Sequence, residues 1–64
     1  MFSIIMPVYN SERYVKEAIE SVLNQNFNDF ELIVIDDGSR DKSLDIINTL
    51  ASHDSRIKVL INQE

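Results

Sequence analysis

Large apolar residues fall along this chain in three short runs and two spaced stripes. The runs are "FSIIMPV" (Phe2 to Val8), "FELIVID" (Phe30 to Asp36) and "IKVLI" (Ile57 to Ile61). Brief runs rich in β-branched residues predict strands. Proline donates no ladder hydrogen bond, so Pro7 suits the exit of the first strand better than its middle. The first stripe holds Tyr14, Val15, Ala18, Ile19, Val22 and Leu23. These are adjacent pairs every four residues, the spacing of one helix face, and they predict a helix from Glu12 to near Gln25. Lys16, Glu17 and Glu20 take its other side. A second helix is expected around Leu44, Ile47, Leu50 and Ala51.

Polar punctuation supports these limits. "NQNFND" (Asn24 to Asp29) breaks the first helix and "SHDS" (Ser52 to Ser55) ends the second. Asn10 and Ser11 offer cap chemistry for the first helix, with Glu12 in its first turn. Ser39 or Asp41 can cap the second. The middle run shows no period-two alternation, so both its faces are expected to be buried, as in a parallel sheet covered by helices.

The resulting order is strand, helix, strand, helix, strand. Joined by right-handed crossovers, such a chain is α/β: a βαβαβ half of a doubly wound, Rossmann-like parallel sheet, one unit over residues 1–64. Halves of this kind bind mononucleotides at the carboxyl ends of their strands. "PVYNSE" and "DDGSRD" follow strands one and two, so a ligand is expected there.

Composition narrows the function. The 64 residues carry 11 acids against 6 bases, a net charge of −5. That argues against nucleic acid as a partner, which requires a basic footprint, and against an anionic membrane surface. No apolar run approaches the roughly 20 residues of a membrane span, and the start lacks the basic residues of a signal peptide. The absence of cysteine fits a reducing compartment. A cytoplasmic location is expected. At this length only about 60% of the unfolded chain's surface is buried on folding, so stability is marginal.

The acids Asp36 and Asp37, followed by the sole glycine, Gly38, carry the candidate chemistry. Asp-Gly is a common turn pair and Ser39 or Asp41 a ready cap, so a purely structural role stands beside a functional one. The functional role is a carboxylate that accepts a ligand N–H or helps hold a metal. Tyr9 can face the same cleft as Asp37, where a ring can stack on a base; packing against a helix is its alternative. No G-x-G-x-x-G, P-loop or serine-nucleophile motif is present.

Taken together, the two clusters resemble the opening of the family 2 glycosyltransferases. The matching stretches are "PVYN" after strand one, "YVKEAIESVLNQ" on the helix and "VIDDGSRD" after strand two, in order from Ser3 to Ser43. The resemblance implies the GT-A fold and an inverting transfer from a nucleotide-sugar donor, a UDP-sugar by family tendency, to a hydroxyl on a glycan or lipid-linked acceptor. The setting it implies is bacterial surface polysaccharide synthesis, peripheral to the inner face of the membrane. It places Pro7 and Tyr9 around uracil and makes Asp37 the acceptor for the uracil N3–H. Asp36 shapes the turn, and Glu12, Gly38 and Ser39 occupy further motif positions.

The family's divalent cation, Mg²⁺ or Mn²⁺, sits on a downstream D-x-D-like motif, and its general base also lies downstream. Neither falls within these residues, so no catalytic or metal-ligating residue is expected here. An N-terminal portion of a longer, active enzyme is the expectation. Without the rest of the fold, the edge of "SIIM" and one face of the sheet are expected to be exposed and to favour self-association. Two other readings remain: a receiver-like domain whose acidic pair holds Mg²⁺, and a small binding module whose acids merely turn the chain. A receiver, however, carries its acidic pair after strand one.

Overall fold

The middle apolar run becomes the middle strand. A computed structural model describes residues 2–25 and 29–62, in which β1 (Phe2–Val8), β2 (Phe30–Asp36) and β3 (Ile57–Ile61) alternate with α1 (Val15–Leu23) and α2 (Ser43–His53). The strands form one parallel sheet in the order β1-β2-β3. Ile4 pairs with Leu32 and Leu32 with Ile57, while Val8 pairs with Asp36 and Asp36 with Ile61. All three carboxyl ends are thereby brought level at one end of the sheet.

Two crossovers that run the same way with the same hand put both helices on one face. The core lies there: Val8, Val15, Ile19, Phe30, Leu32, Val34, Ile47 and Ile57 are buried. Of the two faces of β2 expected to be covered in a complete sheet, the described residues cover one, and the other is open as expected for this segment. Phe30, Leu32, Val34 and Asp36 are buried, but Glu31, Ile33 and Ile35 between them are only half-buried. Ile5 pairs with Ile33, and Pro7 with Ile35, which pairs in turn with Leu60. An apolar patch therefore lies on the uncovered face, with Ile5 62% and Leu60 54% exposed. The apolar run in β2 is continuous because both faces are hydrophobic, although the helices bury only one.

α1 is shorter than the helix expected from its stripe, whereas α2 contains the whole of its own. α1 begins at Val15, after a turn over residues 12–14, and buries Val15 and Ile19 while Tyr14 remains 69% exposed. Val22 and Leu23 pack against the core. The expected side-chain cap by Asn10 or Ser11 is not made: the N–H groups of Tyr14 and Val15 both reach the Ser11 carbonyl, and the Ser11 hydroxyl donates to the Tyr9 carbonyl. In α2, Ile47 and Ser43 are buried, and Ile46, Leu50 and Ala51 pack around the core. Neither expected side-chain cap of α2 is made: Lys42 occupies the cap position, and Asp41, one residue earlier, accepts the Ser43 N–H. The chain break read at Asn24 to Asp29 includes residues 26–28, outside the described residues. Among the described residues, no helix is long and apolar enough to cross a membrane.

Candidate functional site

At the carboxyl end of the sheet, the loop after β1 and the loop after β2 are stitched to each other. Asn10 donates its N–H to the Ser39 hydroxyl at 2.9 Å, and its side-chain oxygen accepts the Arg40 N–H at 2.8 Å. The Ser11 N–H reaches the Ser43 hydroxyl at 2.7 Å, and the Glu12 N–H reaches Asp41 Oδ2 at 3.1 Å. Asn10 holds this position with φ +48°, in the left-handed region where asparagine is among the few tolerated side chains. Asn10→Ala is expected to cost about 1–3 kcal/mol, through the strained backbone and the loss of its acceptor. Asn10→Gly should cost less, because it restores the backbone freedom alone, and Asn10→Asp least, because it keeps the acceptor. Urea midpoints in any other order would contradict this account.

The two acids separate. Asp36 turns inward beneath the loop and is 1% exposed; its Oδ2 accepts the Ser39 N–H at 3.1 Å. Its Oδ1 has no hydrogen-bond partner among the described residues. Asp37 turns outward. Its N–H donates to the Val8 carbonyl at 2.8 Å, which ties it to the end of β1. Its Oδ1 accepts the Asn62 side-chain N–H at 3.0 Å. Gly38 follows with φ +76°, and a Cβ there would meet only the Asn62 carbonyl at an ordinary 3.8 Å. Glycine is needed here for its backbone angle rather than for space.

These residues line an open, mainly polar cleft of about 420 Å³, formed by Tyr9, Asp37, Gly38, Arg40 and Asn62. Tyr9 is 57% exposed and supplies an aromatic wall. Arg40 is the cation lining the cleft, and Asp37 the anion.

The sequence of residues 3–64 matches the family described as Glycosyl transferase family 2. The chain belongs to this family. A Haemophilus influenzae protein described as an uncharacterized glycosyltransferase is 54% identical over 59 residues, covering 92% of this chain and 24% of its own length. The minor teichoic acid biosynthesis protein GgaA of Bacillus subtilis is 48% identical, covering 94% of this chain and 14% of its own length. S. aureus TarS 1-349, solved in complex with UDP-GlcNAc, superposes with TM-score 0.85 at 38% identity, over 97% of this chain and 18% of that one. The mannosyltransferase PcManGT from Pyrobaculum calidifontis, solved with GDP-Man and Mn²⁺, superposes with TM-score 0.88 over 98% of this chain and 19% of that one. Its identity is 19%, and the likeness is one of fold. The chain spans about a fifth of the length of the curated relatives it matches.

Within this family 2 glycosyltransferase segment, the cleft gathers three of the residues named from sequence: Tyr9, Asp37 and Gly38. Pro7, Asp36, Glu12 and Ser39 do not line it. Pro7 sits in the β1 ladder opposite Ile35, while Asp36, Glu12 and Ser39 hold the loops in shape. Arg40 and Asn62 were missed. Asn62 follows β3 as Tyr9 follows β1 and Asp37 follows β2, so the strand-end rule already pointed to it. The cleft does not suit a divalent cation. Its one carboxylate already accepts an amide, the neighbouring Asp36 is turned away, and no group of three or more His, Cys, Asp or Glu suited to a metal occurs among the described residues.

The stitching has an electrostatic consequence. The Ser43 hydroxyl, foremost, and the N–H groups of Ser43 and Glu12 hold the Asp41 carboxyl below its ordinary value, against opposing desolvation. At the other end of the sheet, Arg56 lowers Asp54, chiefly through side-chain hydrogen bonds, the shortest being 2.7 Å. Both groups bind a proton less readily folded than unfolded. Their contribution is therefore complete above the unfolded carboxylate value, about pH 4, and is lost as pH falls through the lower folded values. The urea midpoint should drop below about pH 4, less steeply in Asp41→Asn. A midpoint unchanged down to about pH 2 would refute this.

Proposed function

We propose that this segment binds the nucleotide of a UDP-sugar donor, and that the protein transfers the sugar, with inversion, to a hydroxyl of a bacterial surface glycan or its lipid-linked precursor. The observation that carries the reading is the meeting of Tyr9 and Asp37 in one cleft at the carboxyl end of the sheet. Tyr9 offers a ring face to the base, a contact worth about 1–3 kcal/mol in other base-stacking sites. Asp37 offers Oδ2, which accepts no hydrogen bond among the described residues, to the N3–H of uracil.

The chemistry favours uridine. Uracil N3 carries a hydrogen, while cytosine N3 presents a lone pair, which an ionised carboxylate repels. Arg40, which lines the cleft, brings positive charge to a chain of net charge −5 and so favours the donor's diphosphate. Two likenesses support the reading: TarS at 38% identity, solved with UDP-GlcNAc, and GgaA, whose name assigns it to teichoic acid biosynthesis. The cation and the general base belong, on this reading, to residues beyond those considered above.

An amide NMR titration with UDP, with CDP as control, tests the assignment. Shifts concentrated at Tyr9, Asp37, Gly38, Arg40 and Asn62, and larger for UDP, are expected. A folded chain whose amides ignore both nucleotides would overturn it and favour a binding module whose acids only turn the chain.

A further inference from the structure

We propose that Asn62, at the end of β3, is the positioning residue for base recognition by Asp37. The proposal rests on the reading of Asp37 as the uracil acceptor and adds a determinant of its selectivity.

An exposed aspartate on a turn samples several rotamers, and only some aim an oxygen into the cleft. Asp37 is restrained from two sides. Its backbone N–H is tied to the Val8 carbonyl of β1 at 2.8 Å, and its side-chain Oδ1 to the Asn62 amide at 3.0 Å. Asn62 is itself anchored, because its backbone N–H donates to the Asp36 carbonyl at 2.8 Å, continuing the ladder past the end of β3. Its carbonyl also lies against Gly38, 3.8 Å from where a Cβ would stand.

The amide's orientation follows from chemistry. An ionised carboxylate only accepts, so Asn62 must turn its nitrogen toward Asp37 and its own oxygen away. One carboxylate oxygen is thereby occupied and the other left to the ligand. The bond is charge-assisted, which strengthens it relative to a neutral pair. All three strands then share the recognition: β1 supplies the ring, β2 the carboxylate, and β3 the amide that orients it.

The test is a double-mutant cycle in this chain: wild type, Asn62→Ala, Asp37→Ala and the double variant, each titrated with UDP and with CDP. Asn62→Ala is expected to weaken UDP binding about fivefold and to leave CDP binding near wild type, so that the preference narrows. Added to Asp37→Ala, it should change UDP binding little further, since its partner is already gone. Asn62→Asp sets a carboxylate against a carboxylate and should narrow the preference at least as much. Because Asn62 is exposed and its ladder bond uses the backbone, these variants should fold, and their amide spectra report whether they do.

An equal loss for both nucleotides, or a loss that persists in the Asp37→Ala background, would overturn the positioning role while leaving the reading of Asp37 standing. A wild type that responds to neither nucleotide, or equally to both, would overturn that reading and this proposal with it.

Discussion

Leu32→Ala is expected to remove most of the folded population at room temperature. Leu32 has no exposed surface and lies mid-strand in β2, paired with Ile4 on one side and Ile57 on the other, beneath the helices. Truncating a buried leucine costs about 2–5 kcal/mol, because the transfer energy is lost and a cavity remains. A domain of this length has only about 3–10 kcal/mol of stability in total. This one covers a single face of its sheet, which places it toward the lower end. Urea denaturation followed by circular dichroism should show the midpoint collapse. A midpoint near wild type would mean that β2 is not the centre of the core.

Asp37→Ala is expected to have the largest effect on ligand binding. A hydrogen bond to a charged acceptor is worth about 1.5–3 kcal/mol, so UDP affinity should fall by about 10- to 150-fold. CDP presents a lone pair that the carboxylate repels, so its binding should hold or improve, which closes the gap between the two nucleotides. Stability should barely change, because the side chain is exposed and the bond to Val8 uses the Asp37 backbone. Calorimetric titration of the wild type and the variant provides the comparison. An Asp37→Ala chain that still prefers UDP would place base recognition elsewhere in the cleft.

Much of this architecture was legible in the sequence, for an identifiable reason. The runs and stripes gave three strands and two helices because apolar spacing reports which face of an element is buried. "IVIDDGSRD" pointed to the cleft because an apolar strand that ends in acids delivers them to the end of the sheet. What escaped was tertiary. The spacing of "DD" left both acids as candidates and only the family resemblance separated them; the Ser39 N–H that Asp36 accepts, which ties it down at the buried end of β2, is a contact that spacing does not show. Asn10 and Ser11 looked like helix caps because their side chains suit that role. Here the Asn10 amide instead spans to Arg40, a partner 30 residues away that local sequence cannot reveal. The continuous hydrophobicity of β2 records what its faces can bury, and the described residues lie over one of them.

The central place of β2 divides the cleft by mechanical character. The slowest amide hydrogen exchange belongs to segments that open only when the whole domain does, and in this sheet that segment is the strand laddered on both sides. Asp37 hangs from its end. Among the described residues, Tyr9 and Asn62 extend from strands with one ladder each, where opening requires fewer bonds to break. On the proposed reading, the carboxylate that meets the base is carried by the strand laddered on both sides, and the amide that orients it by a neighbouring strand.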